Sequence, residues 1–437
     1  MRDLLQGRAA KDWDIATDAR PEEVVALFHG RKTGSSGRSF VVPTGIKHGT
    51  VTVHYKGLSM EVTTFRSESG YSDGRHPDKV EFGVSIETDL SRRDFTMNAA
   101  AYQLPGGPLV DPFGGRNDIK SRLIRCVGNA AERFAEDGLR PLRALRFASQ
   151  LDFTIDEQTL AAIPGAIPLT AKVAAERMRE EIDKMIASSK PSTALLLMEK
   201  TGLLNLLIPE LAECRGVKQD RLKGTGFHRF DVLDHSLLAC DFAARSGAPQ
   251  EVRLAVLFHD IGKPPAAHID DGGLRTFHRH EKFSVERTRE ILLRFRYSNA
   301  VIEKVCHLVG EHMFHYEDSW SNAAVRRFVI RVGEENLPDL YALRRADTYG
   351  QAAAEPSPQL LVPLINRVEE TLAESRALSL KDLAISGKDL ITAGIPPGKQ
   401  MGIILNELLE AALEDPALNS REKLLEIAEK INKRYEN

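Results

Sequence analysis

Cysteine is scarce. Cys126, Cys214, Cys240 and Cys306 are the four in 437 residues, far apart and without a C-x-x-C pair. That excludes a disulfide framework and a structural zinc knuckle and points to a reducing, cytoplasmic compartment. No apolar run approaches the length of a membrane span, and the N-terminus carries no apolar signal core, so no membrane partner is expected. Excess charge is also missing: 59 Lys and Arg face 62 Asp and Glu, a net charge of −3. No global basic field announces a nucleic-acid partner, although a local basic face can still bind one. No short-period repeat is present. What remains is the composition of a globular protein, 42% hydrophobic and 28% charged, in a chain too long for one core and suited to roughly three or more domains.

The stretch from Arg2 to Thr17, RDLLQGRAAKDWDIAT, holds a D-x-D pair. In an extended strand Asp12, Asp14 and Ala16 share one face and Trp13 and Ile15 the other. The apolar face can pack on a helix while two carboxylates converge in the open. Carboxylates this close repel unless a cation sits between them. Mg²⁺ suits them, because it takes few protein carboxylates and leaves positions for phosphate oxygens. Strands are expected over Ser39–Pro43, Gly49–Tyr55 and Leu58–Phe65, with GIKHGTVTV as a turn feeding one of them. In MEVTTFR, Glu61 is a candidate third carboxylate on a strand beside the first. Ser67–Lys79 has little to bury and reads as a mobile loop. In SRRDFTMNAAA, Arg92 and Arg93 can hold phosphate and Asp94 can accept from a sugar hydroxyl; an ordinary helix start is the alternative. DPFGGRNDI reads as a structural, turn-rich closure.

From about Arg122 the chain reads as helical. Over Ala135–Phe153 the apolar residues Leu139, Leu142, Leu145 and Ala148 recur at helical spacing, and Arg140, Arg143 and Arg146 form an adjacent basic stripe. Glu136, Asp137 and Arg140 fall one turn apart. Adenine and cytosine each offer an exocyclic amine beside a ring-nitrogen acceptor, where guanine and uracil place a carbonyl. One carboxylate with one guanidinium, Asp137 with Arg140, therefore accepts A and C and rejects G and U, and Glu136 can hold Arg140 in place. Ala174–Ile186 and Thr193–Ile208 read as scaffold helices.

At His235 the character changes. His235, the adjacent pair His259–Asp260, His280, His312 and Asp347 are spread over a helical region. LAVLFHDIGK puts the pair at the end of an apolar helix that Gly262 stops. Imidazole with carboxylate suits a divalent transition metal. Ala352–Gln359 reads as a linker, and the tail closes on an amphipathic helix, Arg421–Tyr435.

Taken in order, RDLLQGRAAKDWDIAT, GIKHGTVTV, MEVTTFR, SRRDFTMNA, DPFGGRNDI, EDGLRPLRALRF and the His/Asp set make the chain resemble class II bacterial CCA-adding enzymes, tRNA nucleotidyltransferases of the DNA polymerase β superfamily, with an HD phosphohydrolase domain. The resemblance runs nearly end to end. It implies an α+β fold: a small mixed-sheet nucleotidyltransferase head (1–120), then mostly α-helical parts, namely a neck and body (121–220), an HD domain (221–350) and a tail (351–437). It makes Asp12 and Asp14 the Mg²⁺-binding catalytic pair, to which the strand reading adds Glu61 as a candidate third carboxylate. It adds Arg2, Asp3, Arg92, Arg93, Asp94, Asn98, Arg143 and Arg146 to the nucleotide-binding set, and gives Glu136, Asp137 and Arg140 the part of an amino-acid template for ATP and CTP. It makes His235, His259, Asp260 and Asp347 ligands of a transition metal, with His280 and His312 completing a second position. The implied activity is template-independent addition of CCA to tRNA 3′ ends, with hydrolysis of 2′,3′-cyclic phosphodiesters or 2′-phosphates by the HD part. Pairing of the chain with itself is allowed but not required. A poly(A) polymerase or A-only adder is the alternative on the same fold, and an RNA-gripping HD phosphohydrolase with an inactive head is the alternative of another class. The family's G-G-x-V strand precedes R-D; here only Met1 does, where the family has Val, so an internal start and a truncated head are expected.

Overall fold

The computed structural model describes residues 1–7, 9, 13–30, 39–46, 49–71, 74, 77–219, 229–271, 275–374 and 380–435. Asp12 lies outside the described residues, as do Lys47 and His48 of the GIKHGTVTV turn and part of the Ser67–Lys79 loop. The chain forms two compact units: Met1–Glu213 with Ile291–Tyr297, and Cys214–Glu290 with Ser298–Asn437.

The first unit opens with a four-stranded sheet in the order β1–β4–β3–β2, built from β1 (Asp14–Thr17), β2 (Phe40–Gly45), β3 (Thr50–Tyr55) and β4 (Leu58–Thr64). The β1–β4 pair is parallel and the other pairs antiparallel. Val51, Val53 and Val62 alternate onto one face and close a core with Val24 of helix α2 (Pro21–Phe28), with Ile15 packed at its edge. The short helix α1 (Arg2–Leu5) precedes the sheet. Trp13 does not join this core. It stands one residue before β1 begins and is 58% exposed, so only Ile15 of the expected apolar face is used. Pro43 sits on the edge strand, where its missing N–H breaks no ladder, at a register shift between Val42 and Gly45.

A hairpin of β5 (Arg66–Ser69) and β6 (Lys79–Phe82) follows. Next come α3 (Ile86–Ser91), α4 (Gly115–Lys120), α5 (Ala130–Glu136), α6 (Arg140–Leu151), α7 (Glu157–Thr170), α8 (Ala175–Ile186), α9 (Pro191–Thr201), α10 (Leu203–Leu207) and α11 (Pro209–Ala212). SRRDFTMNAAA is a helix end rather than a helix start: α3 stops at Ser91 and Arg92 caps it. Asp111 ties the turn before α4, accepting from the Gly115 and Arg116 amides at 2.7 and 2.9 Å.

The expected continuous helix over Ala135–Phe153 is broken. α5 ends at Glu136, Asp137 is extended, and α6 starts at Arg140. Packing forces the break at Gly138, where a Cβ would lie 2.7 Å from the Leu169 carbonyl oxygen. Thr170 donates to the Gly138 carbonyl at 2.8 Å, and Pro141 starts the new helix where its missing N–H is not needed.

The second unit is almost entirely helical: α12 (Val232–Arg245), α13 (Gln250–Phe258), α14 (Lys263–Ala266), α15 (His280–Arg294), α16 (Asn299–Glu311), α17 (Asn322–Val332), α18 (Leu337–Ala352), α19 (Val362–Glu374), α20 (Gly387–Thr392), α21 (Lys399–Glu414) and α22 (Arg421–Tyr435). α15 crosses the boundary between the two sets of residues. Leu390, Ile404, Leu408, Ala412, Leu424 and Ala428 form the core of the tail. No helix among the described residues is long and apolar enough to cross a membrane.

Candidate functional sites

In the first unit, parallel pairing sets Asp14 directly across from Glu61. Both are exposed, on the sheet face opposite the valine core. Adjacent strands lie about 4.8 Å apart, so the two carboxylates form an open pair of hard oxygen donors that fits a divalent cation.

From Glu61 the chain runs seven residues to Glu68, about 23 Å at most at strand rise. Glu68 is a hub: Arg66 lies 2.6 Å away, Arg92 3.1 Å, and the Tyr71 hydroxyl donates to it at 2.8 Å. Burial raises its carboxyl, but Arg92 and Arg66 outweigh that and hold it below the ordinary value. Burial and the bond to Glu68 push the Tyr71 hydroxyl well up. Arg92 also donates to Asp89 at 2.8 Å, and its carbonyl accepts from Arg140 Nη2 at 3.0 Å. Arg93 lies 3.9 Å from the other oxygen of Asp89.

Arg140 is thus fixed on three sides. It donates to the Arg92 carbonyl, to the Arg133 carbonyl at 2.9 Å, and to Glu136. Glu136 is itself held by Arg133 at 2.7 Å. Asp137 accepts from the Leu139 amide at 3.0 Å and from Arg177 of α8 at 2.9 Å. Sequence reasoning missed Arg177. The only signal for it was a basic residue on the polar face of an amphipathic helix forty positions away.

Asp94 spends both oxygens inside the protein. It accepts from Arg143 Nε at 2.8 Å, from Asn98 at 3.0 Å and from the Phe95 amide at 2.8 Å. Burial raises its carboxyl, and Arg143 more than reverses this. Asn98 accepts from Arg2 at 3.2 Å, and Arg2 is held at 3.2 Å by Asp3. The basic stripe divides. Arg143 is partly open, whereas Arg146 is 9% exposed, lies 4.0 Å over the Phe147 ring and pairs with Glu181 at 2.6 Å.

The second unit gathers six buried groups. The potential ligand atoms of His235, His259 and Asp347 lie within 4.8 Å of one another, as do those of Asp260, His280 and His312. Asp260 stands between the two sets: Oδ2 is 3.3 and 3.2 Å from the Nε2 atoms of His235 and His259, and Oδ1 is 3.2 Å from that of His280. His259, His280 and His312 each place Nδ1 on the carbonyl three residues earlier, at 2.7, 3.0 and 2.6 Å. A carbonyl only accepts, so Nδ1 carries a proton and Nε2 points inward. The inward nitrogens face each other at 3.1 Å (His235–His259) and 3.2 Å (His280–His312), an arrangement that a divalent cation would reconcile. Burial lowers His259, but Asp260 and Asp347 lift it to about 10; burial and the neighbouring His259 push His312 down to about 3. Lys263 Nζ lies 2.6 Å from Asp260 Oδ2.

Two glycines bring these ligands together. A Cβ on Gly262 would lie 2.2 Å from the His280 carbonyl oxygen, and one on Gly350 would lie 2.7 Å from that of His235. Gly262 therefore serves a close approach of α15 rather than the helix stop expected from its place after the apolar run. Gly262→Ala is expected to lower unfolding stability by about 3 kcal/mol, since the added methyl strikes backbone rather than a movable side chain. Denaturant unfolding of the variant beside the native protein measures the loss, and an unchanged midpoint rejects the packing argument.

A sheet presenting paired carboxylates, followed by a broken helix that fixes one carboxylate and one guanidinium, is the arrangement expected of a nucleotidyltransferase, and likeness to known proteins places the chain in that class. Residues 1–125 match the poly A polymerase head domain, 152–215 the "Probable RNA and SrmB-binding site of polymerase A", and 279–428 the tRNA nucleotidyltransferase domain 2. The chain is 33% identical over 426 residues to the CCA-adding enzyme of Geobacillus stearothermophilus, covering 97% of this chain and 89% of that one. It is 34% identical over 429 residues to that of Lactobacillus delbrueckii subsp. bulgaricus, covering 98% and 91%. The crystal structure of the Bacillus stearothermophilus CCA-adding enzyme in complex with CTP matches at a TM-score of 0.71 and 30% identity, covering 100% of this chain and 92% of that one. A Thermotoga maritima CCA-adding enzyme complexed with tRNA shares the fold at a TM-score of 0.51 and 20% identity, covering 98% and 89%. The chain belongs to the CCA-adding enzymes, and its activity is template-independent CCA addition.

Proposed function

We propose that this activity is carried by the first unit, on tRNA 3′ ends with CTP and ATP, and that Asp14, Glu61 and Asp12 hold Mg²⁺ there. The observation that carries the reading is that Asp137 and Arg140, three residues apart, are each held in place, the first by Arg177 and the Leu139 amide, the second by Glu136 and the Arg92 and Arg133 carbonyls. Asp137 accepts from an exocyclic amine while Arg140 donates to a ring nitrogen or carbonyl, a pattern that cytosine and adenine complete and uracil and guanine oppose. Glu136 and Arg177 are positioning residues that keep the pair aimed. Arg92, Arg93, Arg143 and Arg2 supply positive charge toward a triphosphate, and Asp94 and Asn98 orient Arg143 and Arg2. Arg146 serves by holding α6 to α8. Bound Mg²⁺ supplies charge neutralisation at the phosphates. The reading carries a cytoplasmic location, where tRNA is processed, and the four-part division into head, neck and body, HD domain and tail.

The test is incorporation of labelled CTP, ATP, GTP and UTP into a tRNA lacking its CCA end. The native chain adds C, C and A and ignores G and U. Asp137→Ala lets discrimination against UTP and GTP fall by about 10- to 100-fold, the range one paired base contact carries. Arg177→Ala produces a smaller fall of the same kind. Unchanged selectivity in Asp137→Ala rejects the template, and incorporation of A alone by the native chain favours the A-only reading.

A second reading rests on the six buried groups of the other unit. We infer a metal-dependent phosphohydrolase acting on 2′,3′-cyclic phosphodiesters or 2′-phosphates, as would suit trimming of damaged RNA ends. Four imidazoles and two carboxylates favour transition metals over Mg²⁺. Such ions supply Lewis acidity toward a phosphoryl group.

A further inference from the structure

The sheet face that carries Asp14 and Glu61 extends beyond them. Strand register places Asp14, Glu61, Thr52 and Val42 in one row across the four strands. The next row along β4, β3 and β2 is Ser59, His54 and Phe40. In that second row the Phe40 and His54 rings stack, with centroids 4.3 Å apart and planes 20° from parallel. Phe40 is 53% exposed, while its neighbour Val41 turns to the valine core. The fold therefore does not need a phenyl ring here, and an edge strand usually carries charge or proline on its open side.

We propose that the Phe40–His54 stack is a platform for a nucleobase at the 3′ end of the RNA primer, whose terminal hydroxyl is presented to the Asp14–Glu61 row. The inference rests on reading that row as the transfer centre. Strand spacing and rise put His54 about 8 Å from Glu61 and Phe40 about 12 Å from it. Stacked nucleotides rise about 3.4 Å each, so the last few bases of a primer reach the rings when its end is at the carboxylates. The chemistry also suits the reaction. CCA addition meets a primer that ends in the starting base at the first step and in C at the next two, so a fixed hydrogen-bond reader would not serve all three steps. An aromatic face accepts every base, because each base has a π-face. The incoming nucleotide, by contrast, must be read by its edge, which is the task of Asp137 and Arg140.

The experiment uses the full chain and a tRNA lacking CCA, with 2-aminopurine placed in turn at each of the last three bases in parallel binding assays, the position nearest the rings giving the readout. Phe40→Ala raises KM for tRNA about tenfold, within the range that stacking of one base supplies. It leaves KM for CTP unchanged, and Phe40→Trp restores the native KM for tRNA. The 2-aminopurine is quenched on binding the native chain and Phe40→Trp but stays bright with Phe40→Ala. An unchanged KM for tRNA with retained quenching overturns the platform, and so does an equal rise in KM for CTP. Asp14→Ala separates the two readings. If it keeps full addition, the transfer centre is misplaced and the platform falls with it. If it loses addition while Phe40→Ala is indistinguishable from native, only the platform falls.

Discussion

Asp14→Ala is expected to abolish CCA addition while tRNA binding persists. The expected loss is at least about 100- to 1,000-fold in rate, the scale set by removing one group that stabilises developing charge. The physical reason lies in the pairing of β1 with β4. Asp14 and Glu61 are register partners on an open face, and neither carboxylate is needed by the core. Removing one therefore leaves the sheet intact and takes away half of the described oxygen donors. The double change with Asp12→Ala goes further in the same direction. Single-turnover addition of labelled CTP, with filter binding of the same tRNA, gives both readouts. Addition at the native rate rejects the site, and a parallel loss of tRNA binding indicates that the carboxylates act in folding or RNA docking instead.

The carboxylate row was legible in the sequence because alternation in a strand is strict. Once Asp14 faces outward, Glu61 on a valine- and threonine-rich neighbour has only two choices of face. That His235, His259, Asp260, His280, His312 and Asp347 gather was legible for a related reason: adjacent histidine and aspartate after an apolar helix leave few other uses for buried charge. The broken helix at Asp137–Leu139 was not legible. The apolar period runs through Leu139 and Leu142 without interruption, and the break comes from the approach of Gly138 to Leu169, a contact that local sequence does not encode. Arg177 and Glu181 were hidden likewise. They sit on α8, where they read as surface charge, and only packing against α6 turns them toward Asp137 and Arg146. The inward turn of Arg146 follows from the same packing, since a spacing of three along a helix says which residues are neighbours but not how much of the stripe a second helix covers.

Asp260→Asn is expected to abolish hydrolysis of a 2′,3′-cyclic nucleotide while CCA addition continues at the native rate. Asp260 is the informative choice because its two oxygens address different partners, His235 and His259 on one side and His280 on the other. An amide keeps the shape but loses the charge, and it offers one oxygen where two are needed. Both sets of ligands are therefore weakened together, and metal content falls by more than in His312→Ala, which touches one set only. The loss of hydrolysis exceeds the roughly 10- to 100-fold that changes in outer hydrogen-bond partners cost, because a direct ligand is removed. Elemental analysis of the purified chains and a cyclic-nucleotide hydrolysis assay, run beside labelled CTP addition, supply the three readouts. Hydrolysis retained in Asp260→Asn rejects the phosphohydrolase reading. Loss of both activities in that variant shows instead that the buried cluster stabilises the chain as a whole, since no contact of Asp14, Glu61, Asp137 or Arg140 among the described residues involves Asp260.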